Sequence, residues 1–253
     1  MTSTLQAISG NMAVNVFPDR AALGRQAAAD IAAELRQHLL LARQVRMIFA
    51  AAPSQQETLA ALILETGIDW SRITAFHMDE YIGLPDSAPQ RFGNWLQREL
   101  FSKLPFGRVH LLQPDAGGDA IAAYAALLDA APIDLVCMGI GVNGHLAFND
   151  PPVADFADPH SVKVVQLDLV CRQQQVDDGC FASLDAVPTR AVTLTIPRLL
   201  DTAAIFCMVP GKAKAHAVRS TLYDPITTVT PATVLRKHAN CRLYLDVDSA
   251  PAA

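Results

Sequence analysis

Ile133-Asp134-Leu135-Val136-Cys137-Met138-Gly139-Ile140-Gly141-Val142-Asn143-Gly144-His145-Leu146-Ala147-Phe148-Asn149-Asp150-Pro151-Pro152 is the stretch that decides how this chain folds. Its first six residues form a nearly continuous apolar run, which reads as a strand buried on both faces. Three glycines then break the chain, and a histidine and an acid follow five residues apart. Glycine adopts conformations closed to other residues and lets a ligand approach the backbone. In a parallel sheet covered by helices, ligands bind outside the carboxyl ends of the strands. The stretch therefore carries His145 and Asp150 to where a substrate would sit, with Asn143 and Gly144 beside them.

Outward from this strand, apolar runs alternate with helical periodicity. Helices are expected at Asp19–Arg43, Ser54–Glu65, Gln90–Phe101, Asp119–Ala130 and Gly211–Leu222. Strands are expected at Val45–Ala51, Arg72–Phe76, Val109–Leu112, Val162–Leu167, Ala191–Ile196, Ala203–Val209 and Cys241–Val247. Ser54 and Glu57 have the spacing of a capping box. The polar stretches 151–159 and 173–179 read as surface loops, either of which could close over a site. This alternation implies an α/β class with a mainly parallel sheet and helices on both faces, in one domain spanning residues 1–253.

Composition narrows the function. The net charge of −5 gives no basic excess to neutralise nucleic-acid phosphates. No apolar run reaches the length of a membrane span, and the first eleven residues lack the pattern of a secretory leader. The five cysteines (Cys137, Cys171, Cys180, Cys207 and Cys241) are scattered, and three lie in strand-like runs, as buried reduced thiols of a cytoplasmic protein would. The seven histidines form no HxxxH or HExxH pattern, so neither a metal nor an organic cofactor is expected.

A second segment, Phe76-His77-Met78-Asp79-Glu80-Tyr81-Ile82-Gly83-Leu84-Pro85, directly follows a predicted strand. Acids there are placed to act as a base or to bind sugar hydroxyls. The apolar setting of Asp79 and Glu80 would desolvate a carboxylate and raise its pKa. His77 reads either as substrate-facing or as packed.

Together, the His77–Pro85 and Gly139–Pro151 segments resemble the glucosamine-6-phosphate deaminase family, which belongs to a larger group with the 6-phosphogluconolactonases. The similarity continues through Ala191–Ile196 and Val209–Ala215. The lactonase branch fits less well, since it usually carries a basic residue where Tyr81 stands and a Gly-His-Thr-Ala-Ser type sequence where Gly144–Phe148 stand. The resemblance implies a Rossmann-like sheet and a deamination coupled to aldose–ketose isomerisation, without a cofactor. It implies that Asp79 is the base moving a proton between C2 and C1, and that His145 opens the sugar ring. Asp150 stands where the family has a glutamate that orients this histidine, and Asn143 where it has aspartate or asparagine. Lys214 matches a phosphate-binding lysine.

At the phosphate the chain departs from the family. The usual Thr-Gly-Gly-Thr/Ser-Pro loop is replaced by Ala51-Ala52-Pro53-Ser54-Gln55. Pro53 offers no N–H, and Glu57 adds negative charge to the first helical turn. Asp177 or Asp178 falls near the family's phosphate-binding arginine, whereas Arg172 matches a different one. Ser54, Gln55, Glu80 and Gly144 are the remaining candidates to contact substrate. The expected ligand is an amino sugar, with its phosphate held differently or absent. A sugar-phosphate lactonase and a catalytically silent sugar-binding protein are the alternatives. The composition is compatible with a homo-oligomer as with a monomer.

Overall fold

All six residues of the strand Ile133–Met138 are buried, and the strand lies inside a sheet rather than at its edge. The computed structural model describes residues 3–4, 12–41, 44–116 and 118–251. Its strands run β1 (Ser3–Thr4), β2 (Ala13–Phe17), β3 (Val45–Phe49), β4 (Ile73–His77), β5 (Asp79–Tyr81), β6 (Arg108–His110), β7 (Ile133–Met138), β8 (Val162–Gln166), β9 (Arg190–Leu194), β10 (Thr202–Val209) and β11 (Cys241–Asp246). The helices are α1 (Arg20–Leu40), α2 (Gln56–Ile63), α3 (Phe92–Leu96), α4 (Gly118–Asp129), α5 (Leu169–Asp177), α6 (Ile196–Leu200) and α7 (Ala215–Tyr223).

The main sheet has the order β1-β2-β11-β10-β7-β3-β4-β6, and every pairing from β2 to β6 is parallel. Side chains alternate between its faces. Leu135 and Cys137 join the core under α1, α2 and α3, while Val136 and Met138 join the core under α4 and α7. Helices therefore cover both faces, as the alternating pattern implied. The chain builds outward from β3 to β4 and β6, then returns to the other side of β3 with β7, β10 and β11. The boundary between β3 and β7 is thus a topological switch point, where a crevice opens at the carboxyl ends. The segments that follow β10, β7, β3 and β4, four neighbouring strands, carry Lys214, His145, Ser54 and Asp79 respectively, Asp79 as the first residue of β5.

A second sheet, β5-β9-β8, is antiparallel and pairs Asp79 with Thr193. The hydroxyl of Thr193 accepts the Phe148 N–H at 3.1 Å, so this sheet ties the segment of Asp79 to the segment that follows β7. Beneath them Tyr81 packs against Phe92, Phe148 and Phe181, with ring centroids 4.8, 5.3 and 5.4 Å away. Tyr81 is fully buried, and its hydroxyl has no hydrogen-bond partner among the described residues. A buried unpaired hydroxyl costs about 1–3 kcal/mol. Tyr81→Phe keeps the ring and removes that cost, so chemical denaturation is expected to show equal or higher stability; a loss above about 1 kcal/mol would reveal a hydrogen bond to that hydroxyl.

Several boundaries differ from the sequence expectation. Helix α1 begins where expected, because Asp19 accepts the Ala22 N–H at 2.7 Å, a cap that contributes about 1 kcal/mol. Its predicted end at Arg43 lies outside the described residues. The helix expected at Gln90–Phe101 is α3 followed by a wider π turn at Gln97–Phe101. The capping box does not form. Pro53 opens a short 3₁₀ turn, Pro53–Gln55, so α2 starts only at Gln56, and Ser54 sits inside the turn with no cap bond. The polar stretch at 173–179 is not a loop for most of its length, since α5 runs through Asp177. Its buried residues include Gln174 and Gln175, so no apolar stripe marked it as a helix.

Candidate active site

The crevice at the switch point is a cleft of about 230 Å³ lined by Asp79, His145, Ser54, Lys214 and neighbours from all four segments. A larger hollow of about 490 Å³ lies elsewhere, around Arg46, Thr74, Arg108 and His110, and no carboxylate lines it. General acid–base chemistry therefore points to the first.

His145 is 7% exposed and sits in a triangle of hydrogen bonds. Its Nδ1 lies 2.9 Å from the Asp150 carboxylate and 2.8 Å from the Asn143 side-chain oxygen. Asn143 Nδ2 donates to the same Asp150 oxygen at 2.9 Å, and Asn143 Oδ1 also accepts the His145 backbone N–H at 3.1 Å. A carboxylate only accepts, so the proton resides on Nδ1, and Nε2 is the nitrogen available to the cleft. Burial alone would raise the Asp150 pKa. The bond and charge of His145, with the Asn143 amide, outweigh it and hold the group below the usual carboxylate range.

Glycine makes this triangle fit. A Cβ on Gly141 would lie 2.1 to 2.3 Å from three atoms of the His145 ring. Gly144 has φ +82°, and a Cβ there would meet Thr230 Cγ2 at 2.6 Å. The Gly144 carbonyl accepts the Ala232 N–H at 2.8 Å, anchoring the loop to the 3₁₀ segment Pro231–Lys237. Helix α5 supplies a further anchor, since Gln174 Oε1 accepts the Val142 N–H at 2.9 Å.

Asp79 is 7% exposed and lines the same cleft. Its carboxylate forms no hydrogen bond or ion pair with the described residues. Burial, reinforced by Glu80 next door, pushes its pKa well above the ordinary value. A carboxylate raised in this way is a stronger base once ionised.

The cleft gathers Asp79, His145, Ser54 and Lys214, with Asn143 and Asp150 directly behind His145. Other candidates are placed differently. Glu80 is 1% exposed and accepts the backbone N–H groups of Tyr81, Phe92 and Gly93, so it anchors the start of α3 and does not reach the cleft. Burial raises its pKa, against the pull of those bonds and of Arg91. Gln55 is also a correction, because its side chain is fully buried and donates to Ser54 Oγ at 3.0 Å and to the Met208 carbonyl at 3.2 Å. Gly144 positions the loop and does not line the cleft. His77 packs: it is fully buried, accepts the Leu112 N–H on Nε2 at 2.7 Å, and burial brings its pKa down to about 3. Arg172 is structural, bonding the Leu184 and Val187 carbonyls at 2.7 and 2.8 Å.

Three cleft residues escaped the sequence reading. Arg20, from the start of α1, clamps Glu57 through Nε at 2.8 Å and Nη2 at 3.1 Å, and Nη2 also donates to the Pro53 carbonyl at 2.9 Å. Gln174 and Gln175 line the cleft from α5. Of the two acids left open in that region, Asp178 reaches the cleft and Asp177 does not.

Known proteins resemble this chain in sequence and fold. The family of glucosamine-6-phosphate isomerases/6-phosphogluconolactonase matches residues 18–244. A glucosamine-6-phosphate deaminase of Streptococcus pneumoniae (strain 70585) is 31% identical over 189 residues, 74% of this chain and 78% of that protein. A solved monomeric glucosamine-6-phosphate deaminase superposes with a TM-score of 0.85 at 25% identity, covering 93% of this chain and 98% of its own. A 6-phosphogluconolactonase from Thermotoga maritima superposes at 0.75 and 18% identity, covering 93% and 99%, a likeness of fold. No helix among the described residues is long and apolar enough to cross a membrane. The chain belongs to the family of glucosamine-6-phosphate isomerases and 6-phosphogluconolactonases.

Proposed function

We propose that this protein is an amino-sugar deaminase that works by aldose–ketose isomerisation, converting a sugar of the glucosamine class to the ketose and ammonia. One observation carries this reading: an unpaired, desolvated carboxylate, Asp79, shares a cleft with an imidazole whose far nitrogen is locked by Asp150 and Asn143. In this reading Nε2 of His145 moves the proton between the anomeric hydroxyl and the ring oxygen, opening the ring. Asp79 then takes the C2 proton, the C2–H electrons form a C1–C2 double bond, the C1 carbonyl electrons move onto its oxygen, and that oxygen takes a proton from water, giving an enolamine. The same carboxylate returns the proton to C1, which leaves an imine at C2. Water adds to that carbon and ammonia departs, so hydrolysis enters only in the last step. One base serving two adjacent carbons accounts for a single acid at the catalytic position. The 31% identity to a glucosamine-6-phosphate deaminase supports the same chemistry.

The test is release of ammonium, coupled to appearance of ketose, from glucosamine and from glucosamine 6-phosphate. Turnover of either at more than about 1 s⁻¹, an ordinary enzymatic rate, is expected. Hydrolysis of 6-phosphogluconolactone without ammonium from any amino sugar would contradict the reading.

A further inference from the structure

Behind His145 the fold gathers three kinds of metal-binding atom at one point. A ring nitrogen of His145, a carboxylate oxygen of Asp150 and the Sγ of Cys171 all lie within 4.8 Å of one another, and all three residues are buried. No other group of three such donors is gathered so closely among the described residues. His145 and Asp150 come from the segment after β7 and Cys171 from α5, so no spacing along the chain marked them. The His145 nitrogen that faces this point is Nδ1, 2.9 Å from Asp150 Oδ1. The second Asp150 oxygen, Oδ2, is buried without a hydrogen-bond partner among the described residues. A buried carboxylate oxygen left open is an unmet demand for a donor or a cation.

These donors suit zinc. Zn²⁺ takes thiolate sulfur, imidazole nitrogen and carboxylate oxygen, and in its tetrahedral shell the ligand atoms stand roughly 3.3–3.8 Å apart, so small side-chain rotations suffice. His145 lines the cleft, which gives the ion a way in past its ring. Burial, then the charge of Asp150, holds the Cys171 thiol well above its ordinary pKa, so it keeps its proton until a metal displaces that proton to water. The Cys171 thiolate and the Asp150 carboxylate together then neutralise a divalent ion, which is buried without net charge. Nδ1 gives its lone pair to the ion, so the single proton of the neutral imidazole moves to Nε2. The ring then presents an N–H to the cleft where it had presented a lone pair. It can no longer accept the proton of an anomeric hydroxyl, and Asp150, bound to the ion, no longer supports its charged form.

We propose that His145, Asp150 and Cys171 form an inhibitory site for Zn²⁺, which holds the imidazole in the unproductive tautomer. The loss of activity rests on the deaminase reading, but occupancy is read without turnover. Cd²⁺ takes the same ligands and gives a thiolate-to-metal absorption band in the ultraviolet. The metal-free full chain is expected to gain that band as Cd²⁺ is added, and excess Zn²⁺ should suppress it. Cys171→Ser and Cys171→Ala should each lose the band, while Cys180→Ser, which changes a half-buried thiol outside the cluster, keeps it. Cadmium NMR of the wild type, which needs no substitution to fold, should report a single sulfur among nitrogen and oxygen ligands. Saturating Zn²⁺ should lower ammonium release at least about 10²-fold, the least that a positioned acid–base group contributes, and a chelator should restore it. Cys171→Ser, compared with its own metal-free rate, should need at least about tenfold more Zn²⁺ for half-inhibition, since even outer-shell partners change metal affinity by that much. No band, a band indifferent to Cys171, a cadmium signal without sulfur, or turnover that Zn²⁺ leaves unchanged or raises would each overturn the proposal. A Cys171-dependent band without ammonium release from any amino sugar would sink the deaminase reading and leave the site standing. Ammonium release untouched by Zn²⁺, in a chain that gains no band, would do the reverse.

Discussion

Asp79→Asn is expected to lower kcat for ammonium release by about 10²- to 10⁴-fold, the span that a positioned general base contributes, while KM changes little. Asparagine keeps the shape of the side chain and cannot accept the C2 proton. The same substitution should make the protein more stable at neutral pH, and the sign follows from burial. The folded-state pKa of Asp79 is raised, so the folded chain holds its proton to higher pH than the unfolded chain does. Ionisation therefore favours unfolding, and the wild type loses stability as pH rises above about 4, the value of a free aspartate. The amide of the variant does not ionise and brings no such loss. Thermal melts of the two proteins should coincide below about pH 4 and separate above it, with the variant higher. The wild type's kcat/KM should fall on its acid side through that same raised pKa. A variant that melts lower than wild type at pH 7 would mean that the carboxylate is held by favourable contacts rather than desolvated.

Gly141→Ala is the second large effect. The added methyl would lie 2.1 Å from His145 Cε1 and 2.2 Å from Nε2, distances no relaxed structure holds. The ring is the part able to yield, and it moves out of the triangle with Asp150 and Asn143. Misplacing a catalytic group by about 1 Å costs roughly 10²-fold in rate, so at least that loss in kcat is expected. Overpacking should cost about 1–3 kcal/mol of stability in addition. Steady-state kinetics and a melt on one preparation check both. Wild-type kcat in this variant would show that the position of His145 is not what catalysis requires.

Much of this was readable from the chain because the fold and the catalytic pair obey local rules. The apolar run at Ile133–Met138 could be satisfied only inside a covered sheet, and the glycines after it marked the loop. Asp79 stood out because its apolar neighbours Phe76, Met78 and Tyr81 would desolvate it and because its segment resembles that of a known family. What escaped depends on contacts between distant residues. Glu80 looks like Asp79 on paper, yet the direction of its side chain, toward the N–H groups of Phe92 and Gly93, is set twelve residues away. Gln55 reads as a polar loop residue, but it is buried beneath the Met208 carbonyl. Arg20 lies more than thirty residues from the Glu57 it clamps, and only the crossing of α1 over α2 joins them. Helix α5 was concealed because it turns glutamines, not leucines, toward the site.

In the proposed reaction, Asp79 carries one proton between adjacent carbons of an amino sugar opened by His145. Turnover in D₂O, followed by NMR of the ketose and of recovered substrate, tests this most directly. Wild-type product is expected to carry deuterium at C1 in the fraction of turnovers where Asp79 exchanges with solvent, and protium moved from C2 in the rest, with no labelling of either carbon by Asp79→Asn. Labelling of C1 by Asp79→Asn at the wild-type rate would contradict it.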